Sequence, residues 1–323
     1  KVLSSESYSM EKERKIKNQN VRALWKKCVM RVLKKKTLNL QPDIQAHRFN
    51  LISKRVTKCE DRPSEQIVNY EITKEKNLSI TERIYGTYTE SDFEETKKEF
   101  GQDLTGISAV WNAEECLAFA LRDIADKFQG SKVIELAAGI SGLTGLTLAA
   151  LTNLHSLVLS DGNSVCQDYI TKNLADNKEM LQTDFSNIIS QQIAWEVEDT
   201  YKNLERNSFE YVIAADCLFV EDFHLALLGI IEKLMDPVNG QCLLLQPKRK
   251  GSMMRFIEKL ENQFSETFTF EIFEDYNPEV IGQDHFHQKK SNYDRDMNFP
   301  YLIVIRHQQF QNFSKILFSK TPQ

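Results

Sequence analysis

Apolar positions along this chain follow two alternating rhythms from residue 110 onward. Short continuous apolar runs read as buried strands, and stretches with apolar residues three or four apart read as amphipathic helices. Leu117, Ala118, Leu121, Ile124, Ala125 and Phe128 trace one helical stripe, which Gln129-Gly130-Ser131 terminates. Strands are then predicted at 133–136, 156–161, 188–195, 209–216, 240–246, 268–273 and 301–306. Helices are predicted between them at 143–151, 162–177, 225–235 and 253–264, the third stopped by Asp236-Pro237. Strands alternating with helices predict an α/β fold with a doubly wound, mostly parallel seven-stranded sheet and a final antiparallel hairpin. This domain is expected over 109–310, followed by a tail, 311–323.

The preceding residues have a different texture. Over 46–108 a small β-rich annex is expected, with strands at 49–52, 67–72 and 78–80 and a polar stretch, 59–66, that Pro63 breaks. The acidic run 90–99 reads as a solvated loop or a frayed helix. In the first 45 residues Val21, Leu24, Trp25, Cys28 and Val32 share one helical stripe, with Arg22, Lys26, Lys27, Arg31 and Lys35 on the other faces. Two readings of this basic helix stand: it docks on its own domain, or it binds an acidic protein, a membrane surface or a nucleic acid. No base-stacking aromatics are interleaved with its lysines.

Charge sharpens the second reading. Between Lys12 and Lys36 lie eleven Lys/Arg and one acid, +10 in all, so the rest of a chain of net charge −5 carries −15. With 323 residues, 41% hydrophobic and 27% charged, the composition is that of a globular protein with room for one large domain and an attachment. No apolar run approaches the roughly 20 residues that span a bilayer, and no signal-peptide core is evident. The chain starts at Lys1 rather than Met, so preceding sequence is expected. Six scattered cysteines form no C-x-x-C pair and no metal-ligand spacing with the histidines. No metal is therefore expected, and reduced thiols point to the cytosol or the nucleus.

Candidate chemistry gathers at strand ends. The 133–136 strand runs into Ala137-Ala138-Gly139 and a helix, a small-residue turn where backbone can approach a nucleotide-like ligand. The next strand ends in Asp161, placed to hold a ribose diol. A dinucleotide would want G-x-G-x-x-G, yet Ala137 stands where a glycine is needed and Glu135 would repel a pyrophosphate. S-adenosylmethionine carries an amino group and a sulfonium and no phosphate, so the sign of charge favours a methyl donor. Glu135, Asp161, Trp195 and Asp216 all fall at carboxyl ends of predicted strands, the ligand-binding rim of such sheets. Trp195 also reads as a core tryptophan, and Asp161 as an N-cap of the 162–177 helix.

Trp111, Glu135-Leu136-Ala137-Ala138-Gly139, Asp161, Trp195 and Ala215-Asp216-Cys217-Leu218-Phe219 resemble, in order and spacing, the class I seven-strand protein-lysine methyltransferases. Trp25-Lys26-Lys27, Ser160-Asp161-Gly162-Asn163 and Phe299-Pro300-Tyr301-Leu302 are similar to the branch of that family that acts on calmodulin. The resemblance covers about residues 22–307. It implies S-adenosyl-L-methionine as cofactor and a monomer acting on an acidic protein, calmodulin, rather than on nucleic acid or at a membrane. It further implies that Glu135 and the backbone of Ala137, Ala138 and Gly139 hold the methionine moiety, and that Asp161 takes the ribose with Gly162 and Asn163 beside it. Trp195 would pack on adenine, Trp111 over the cofactor, and Ala215 would contribute backbone. Asp216 would orient the acceptor ammonium and then the amine, with Phe219 offering a π face. Trp25, Lys26, Lys27, Arg31 and Tyr276 are candidate docking residues, and 275–295 reads as a substrate lip or a surface loop. Ala137 departs from the family's usual glycine, and Ser141-Gly142 is shifted against its Gly-Thr-Gly order. Rival readings are another protein or small-molecule acceptor, a non-catalytic scaffold, and a nicotinamide dehydrogenase.

Overall fold

The computed structural model of the chain describes residues 47–84, 110–290, 292–312 and 316–318. The basic segment 12–36, with Trp25, Lys26, Lys27 and Arg31, and the acidic run 90–99 lie outside the described residues. Strands β1 (Lys54–Lys58), β2 (Glu65–Glu71) and β3 (Asn77–Arg83) form an antiparallel meander in that order. Alternation sets its inner face: Val68 and Tyr70 on β2 and Leu78 and Ile80 on β3 are buried. The lysine-rich β1 is an exposed edge.

The apolar runs of the larger domain become β4 (Lys132–Leu136), β5 (Ser156–Asp161), β6 (Ile188–Gln192), β7 (Tyr211–Ala215), β8 (Gln241–Pro247), β9 (Phe268–Phe273) and β10 (Pro300–His307). They pair in the order β6-β5-β4-β7-β8-β10-β9. Every pair from β6 to β8 is parallel, and β10 runs antiparallel to both its neighbours. Seven helices accompany them among the described residues: α1 (Asn112–Arg122), α2 (Leu143–Leu151), α3 (Ser164–Asp176), α4 (His224–Leu234), α5 (Ser252–Gln263), α6 (Pro278–Gln288) and α7 (Arg295–Asn298). From β4 the chain winds outward through β5 to β6, then returns to β7 and winds the other way. Right-handed crossovers in opposite directions put α2 and α3 on one face and α4 and α5 on the other. The reversal between β4 and β7 is the topological switch point, where such sheets open a crevice.

Several elements differ from expectation. Residues 49–52 are not a strand, because their backbone donors go to α1: Phe49 N to Asn112 Oδ1 at 3.0 Å and Ile52 N to Glu115 Oε1 at 3.1 Å. The helical stripe breaks after Arg122 and resumes as a 3₁₀ turn, Ala125–Phe128. The sixth-strand region ends at Gln192, leaving Trp195 in the loop beyond. The last two strands are no simple hairpin, since α6 and α7 intervene and β10 inserts between β8 and β9. Within 275–295 the structure builds α6 rather than a loop. Asn277 caps it, accepting from Glu279 N at 3.0 Å and Val280 N at 3.2 Å, and Pro278 fits the first turn.

Candidate functional site

After β4 the chain turns through Ala137 (φ +53°), Gly139 (φ +57°) and Gly142 (φ +60°). Left-handed backbone at an alanine costs roughly 1–2 kcal/mol, so something must hold it. Two bonds to the β5 tip do so: Ala138 N to Ser160 O at 2.9 Å and Gly139 N to Asp161 Oδ2 at 3.0 Å. The other Asp161 oxygen accepts from Asn163 N at 2.8 Å, so one carboxylate fastens two loops. Asn163, not Asp161, is the N-cap of α3, accepting from Val165 N at 2.9 Å. Its buried Nδ2 has no partner among the described residues.

Helix α2 starts at Gly142, which has no side chain to cap it. Two carboxylates do so instead. Glu114 from α1 accepts from Leu143 N at 3.1 Å, and Glu135 from β4 accepts from Gly145 N at 2.8 Å. Only glycine lets the helix come this close: a Cβ on Gly145 would lie 2.4 Å from the Leu159 side chain and 2.7 Å from Glu135 Oε2. Burial pushes the Glu114 carboxyl up to about 7. Burial, reinforced by the Glu114 charge, pushes Glu135 up to about 8. The helix N-terminus, where a pyrophosphate would sit, already has acids on two of its donors. A dinucleotide is therefore disfavoured on structural grounds.

Trp111, Ala137, Gly139, Asp161, Gly162, Asn163, Trp195, Ala215, Asp216 and Phe219 line one cleft at the carboxyl ends of β4, β5 and β7. With β4 between them, the tips of β5 and β7 stand two strand spacings, roughly 10 Å, apart. Trp195 is half-buried, its ring edge-on to Phe223 at 6.4 Å, and Phe219 is 38% exposed at the mouth. Glu135 and Ala138 lie beneath the turn rather than in the cleft wall, and of the two acids that cap α2 it is Glu114 that lines it. Tyr276 stands away from the cleft. It packs on the core with its hydroxyl buried and unpartnered among the described residues, which removes that hydroxyl from a docking role.

Asp216 follows β7 in left-handed backbone (φ +51°) and is buried. Its carboxylate is not free for an incoming ammonium. Arg249, just beyond β8, grips it with a fork: Nε donates to Oδ1 at 2.9 Å and Nη2 to Oδ2. Gln246 Nε2 adds a bond to Oδ1 at 3.3 Å while its Oε1 accepts from Leu218 N at 3.0 Å. The Arg249 guanidinium lies 5.3 Å from the Trp111 ring centre. Glu114 and Arg249 are thus site residues that sequence reasoning missed. Their signals were an acid on the buried helical stripe and a Lys248-Arg249-Lys250 triplet at a strand's carboxyl end.

Comparison with known proteins adds an independent line. Residues 93–263 match the family model described as lysine methyltransferase. Calmodulin-lysine N-methyltransferase of Arabidopsis thaliana is 28% identical over 271 residues, spanning 80% of this chain and 86% of that protein. Among solved structures, geranyl diphosphate C-methyltransferase of Streptomyces coelicolor A3(2) aligns with 60% of this chain and 76% of its own, at 10% identity and a TM-score of 0.42. The human methyltransferase 10 domain containing protein aligns with 62% of this chain and 83% of its own, at 14% identity and a TM-score of 0.39.

Proposed function

As the chain belongs to the lysine methyltransferase family, we propose that its acceptor is a lysine side chain of calmodulin, bound in the cleft beyond β4, β5 and β7. The protein is a methyltransferase of class I fold, with S-adenosyl-L-methionine as its cofactor. The observation that carries the site assignment is the single cleft shared by Trp111, Glu114, Asp161, Asn163, Trp195 and Phe219.

That cleft fits the cofactor. The unpartnered Asn163 Nδ2 is a buried donor awaiting an acceptor, as a purine or ribose supplies. Acids rather than cations cap α2, so its first amide donors are already engaged and no positive charge waits there for a phosphate. When bound, S-adenosylmethionine supplies an electrophilic methyl group on a cationic sulfur and leaves with the bonding electron pair as a thioether. Asp161 would accept from the ribose hydroxyls, Trp195 would pack on the purine, and Glu114 would accept a hydrogen bond from the ammonium of the methionine end. The acceptor lysine enters past Phe219 and Trp111, whose rings shield it from water. A π face also attracts a methylated cation by about 0.5–2 kcal/mol. The lysine must arrive deprotonated, its proton already lost to solvent, because only the neutral amine has a lone pair to give.

Support for calmodulin is the relatedness to the Arabidopsis enzyme and the charge pattern. A segment of +10 near the amino terminus complements an acidic partner. The test is intact-mass spectrometry of unmodified calmodulin incubated with this protein and S-adenosylmethionine. A gain of whole methyl units that Asp161→Ala abolishes is expected. No gain, with cofactor binding intact, would move the acceptor to a lysine of another protein.

A further inference from the structure

We propose that Arg249 neutralises Asp216 so that the acceptor part of the cleft selects the uncharged lysine amine over the ammonium. The proposal rests on reading the cleft as a lysine methyltransferase site, and it makes Arg249 a positioning residue acting through Asp216.

Free lysine holds its proton up to a pKa of about 10.4. A bare carboxylate beside it would hold that proton more tightly still, leaving the nitrogen without a lone pair. Asp216, buried at the tip of β7 in the cleft wall, is placed to do that harm. Arg249 prevents it. The planar fork engages both carboxylate oxygens, so a full positive charge lies against the negative one and the two offset each other at the cleft wall. Against a neutral pair and two aromatic rings, the amine loses less on leaving water than the ammonium does.

The pose of Arg249 is built rather than incidental. Arg249 (φ +44°), Lys250 (φ +54°) and Gly251 (φ +84°) are three successive left-handed residues. Asp296 of α7 clamps them: its carbonyl accepts from Arg249 N at 2.9 Å and its Oδ2 from Lys250 N at 2.7 Å. The Trp111 ring covers the guanidinium from the α1 side. The other ionisable groups in the cleft wall are Glu114 from α1, Asp161 from β5, Glu196 beyond β6 and Cys217 beyond β7, whose thiol burial keeps protonated. Flanking Arg249, Lys248 lies over the Tyr301 ring at 4.7 Å. All of these are unchanged in the variants below, so differences report the Arg249–Asp216 pair.

The test uses the full-length protein saturated with S-adenosylhomocysteine and n-butylamine as probe, its binding followed by NMR from about pH 7 to about pH 10. In the unaltered protein, affinity for total amine rises with pH. In Arg249→Met the exposed carboxylate favours the ammonium, and the apparent pKa of the bound probe rises by about one to two units. The double variant Arg249→Met, Asp216→Asn is neutral again and returns to the original profile, a rescue that a merely structural role would not give. Arg249→Gln serves if the methionine variant does not fold. The acidic limb of kcat on a lysine acceptor moves in the same direction. An unmoved profile in the single variant, or no return in the double, overturns the proposal alone. Failure of the unaltered protein to bind S-adenosylhomocysteine overturns the reading of the cleft itself.

Discussion

Glu114 and Glu135 are acids that the fold prefers protonated. Their folded values, about 7 and about 8, stand above the 4.5 of an unperturbed glutamate, so the native state holds more protons than the unfolded chain between those limits. Their contribution to stability is complete below about pH 4.5 and is lost as pH rises through about 7 and about 8. Burial pushes His224 and His287 down from the ordinary 6.5, away from this window, which leaves it to the acids. We expect the melting temperature to fall from pH 7 to pH 8.5, and Glu135→Gln to flatten that slope. A flat profile in the unaltered protein would refute the assignment. At this scale the sequence showed residue types better than directions. Glu135 was visible as a strand-end acid, but that it turns toward Gly145 depends on which face of β4 meets α2. Glu114 was hidden in plain view, three and four residues before Leu117 and Ala118 on the apolar stripe. Arg249 was invisible because its partner is 33 residues away and the turn that aims it breaks the usual backbone preferences.

Helix α3 does more than cross over between β5 and β6. Its Asn173 and the Asn177 that follows its last turn face the outer edge of β3 and behave like a neighbouring strand. Thr81 N donates to Asn173 Oδ1 at 2.8 Å and Ser79 N to Asn177 Oδ1 at 2.7 Å, while Asn177 Nδ2 returns a bond to Ser79 O at 2.8 Å. The match is geometric: four helical residues rise about 6 Å and two strand residues about 6.8 Å. Asn173 Nδ2 also donates to Ile140 O at 3.1 Å, tying the small sheet to the turn after β4. Replacing either asparagine by leucine strands buried backbone groups, at about 1–3 kcal/mol each. We expect Asn173→Leu to lower stability to denaturant more than Asn177→Leu, and to speed amide exchange at Thr81. Equal and negligible losses would show the ladder to be incidental. Element types were largely legible, because buried strands are continuous apolar runs and helices have their own period. The failures were local: Asn277-Pro278 was a helix start left unused, and 49–52 looked extended until α1 claimed its donors. Strand order was not legible at all between β8, β9 and β10, since pairing depends on partners far apart in sequence.

Across the whole molecule, charge is unevenly shared: +10 within 12–36 against −15 elsewhere. Such an imbalance steers an acidic partner over distances of a Debye length, about 10 Å at 0.1 M salt. We expect deletion of residues 1–36 to raise KM for calmodulin, with the difference shrinking as salt is added and kcat little changed. A KM that does not move would assign the segment no part in recognition. The larger sheet carries a different whole-chain property. Its β10 fills the slot between β8 and β9 and supplies the sheet pairing that β9 makes. On the ribosome, then, β8 and β9 emerge with open edges and wait for β10 to be translated. A message truncated before the codon for Pro300 yields a nascent chain with two unsatisfied edges, a template for aggregation and a client for chaperones.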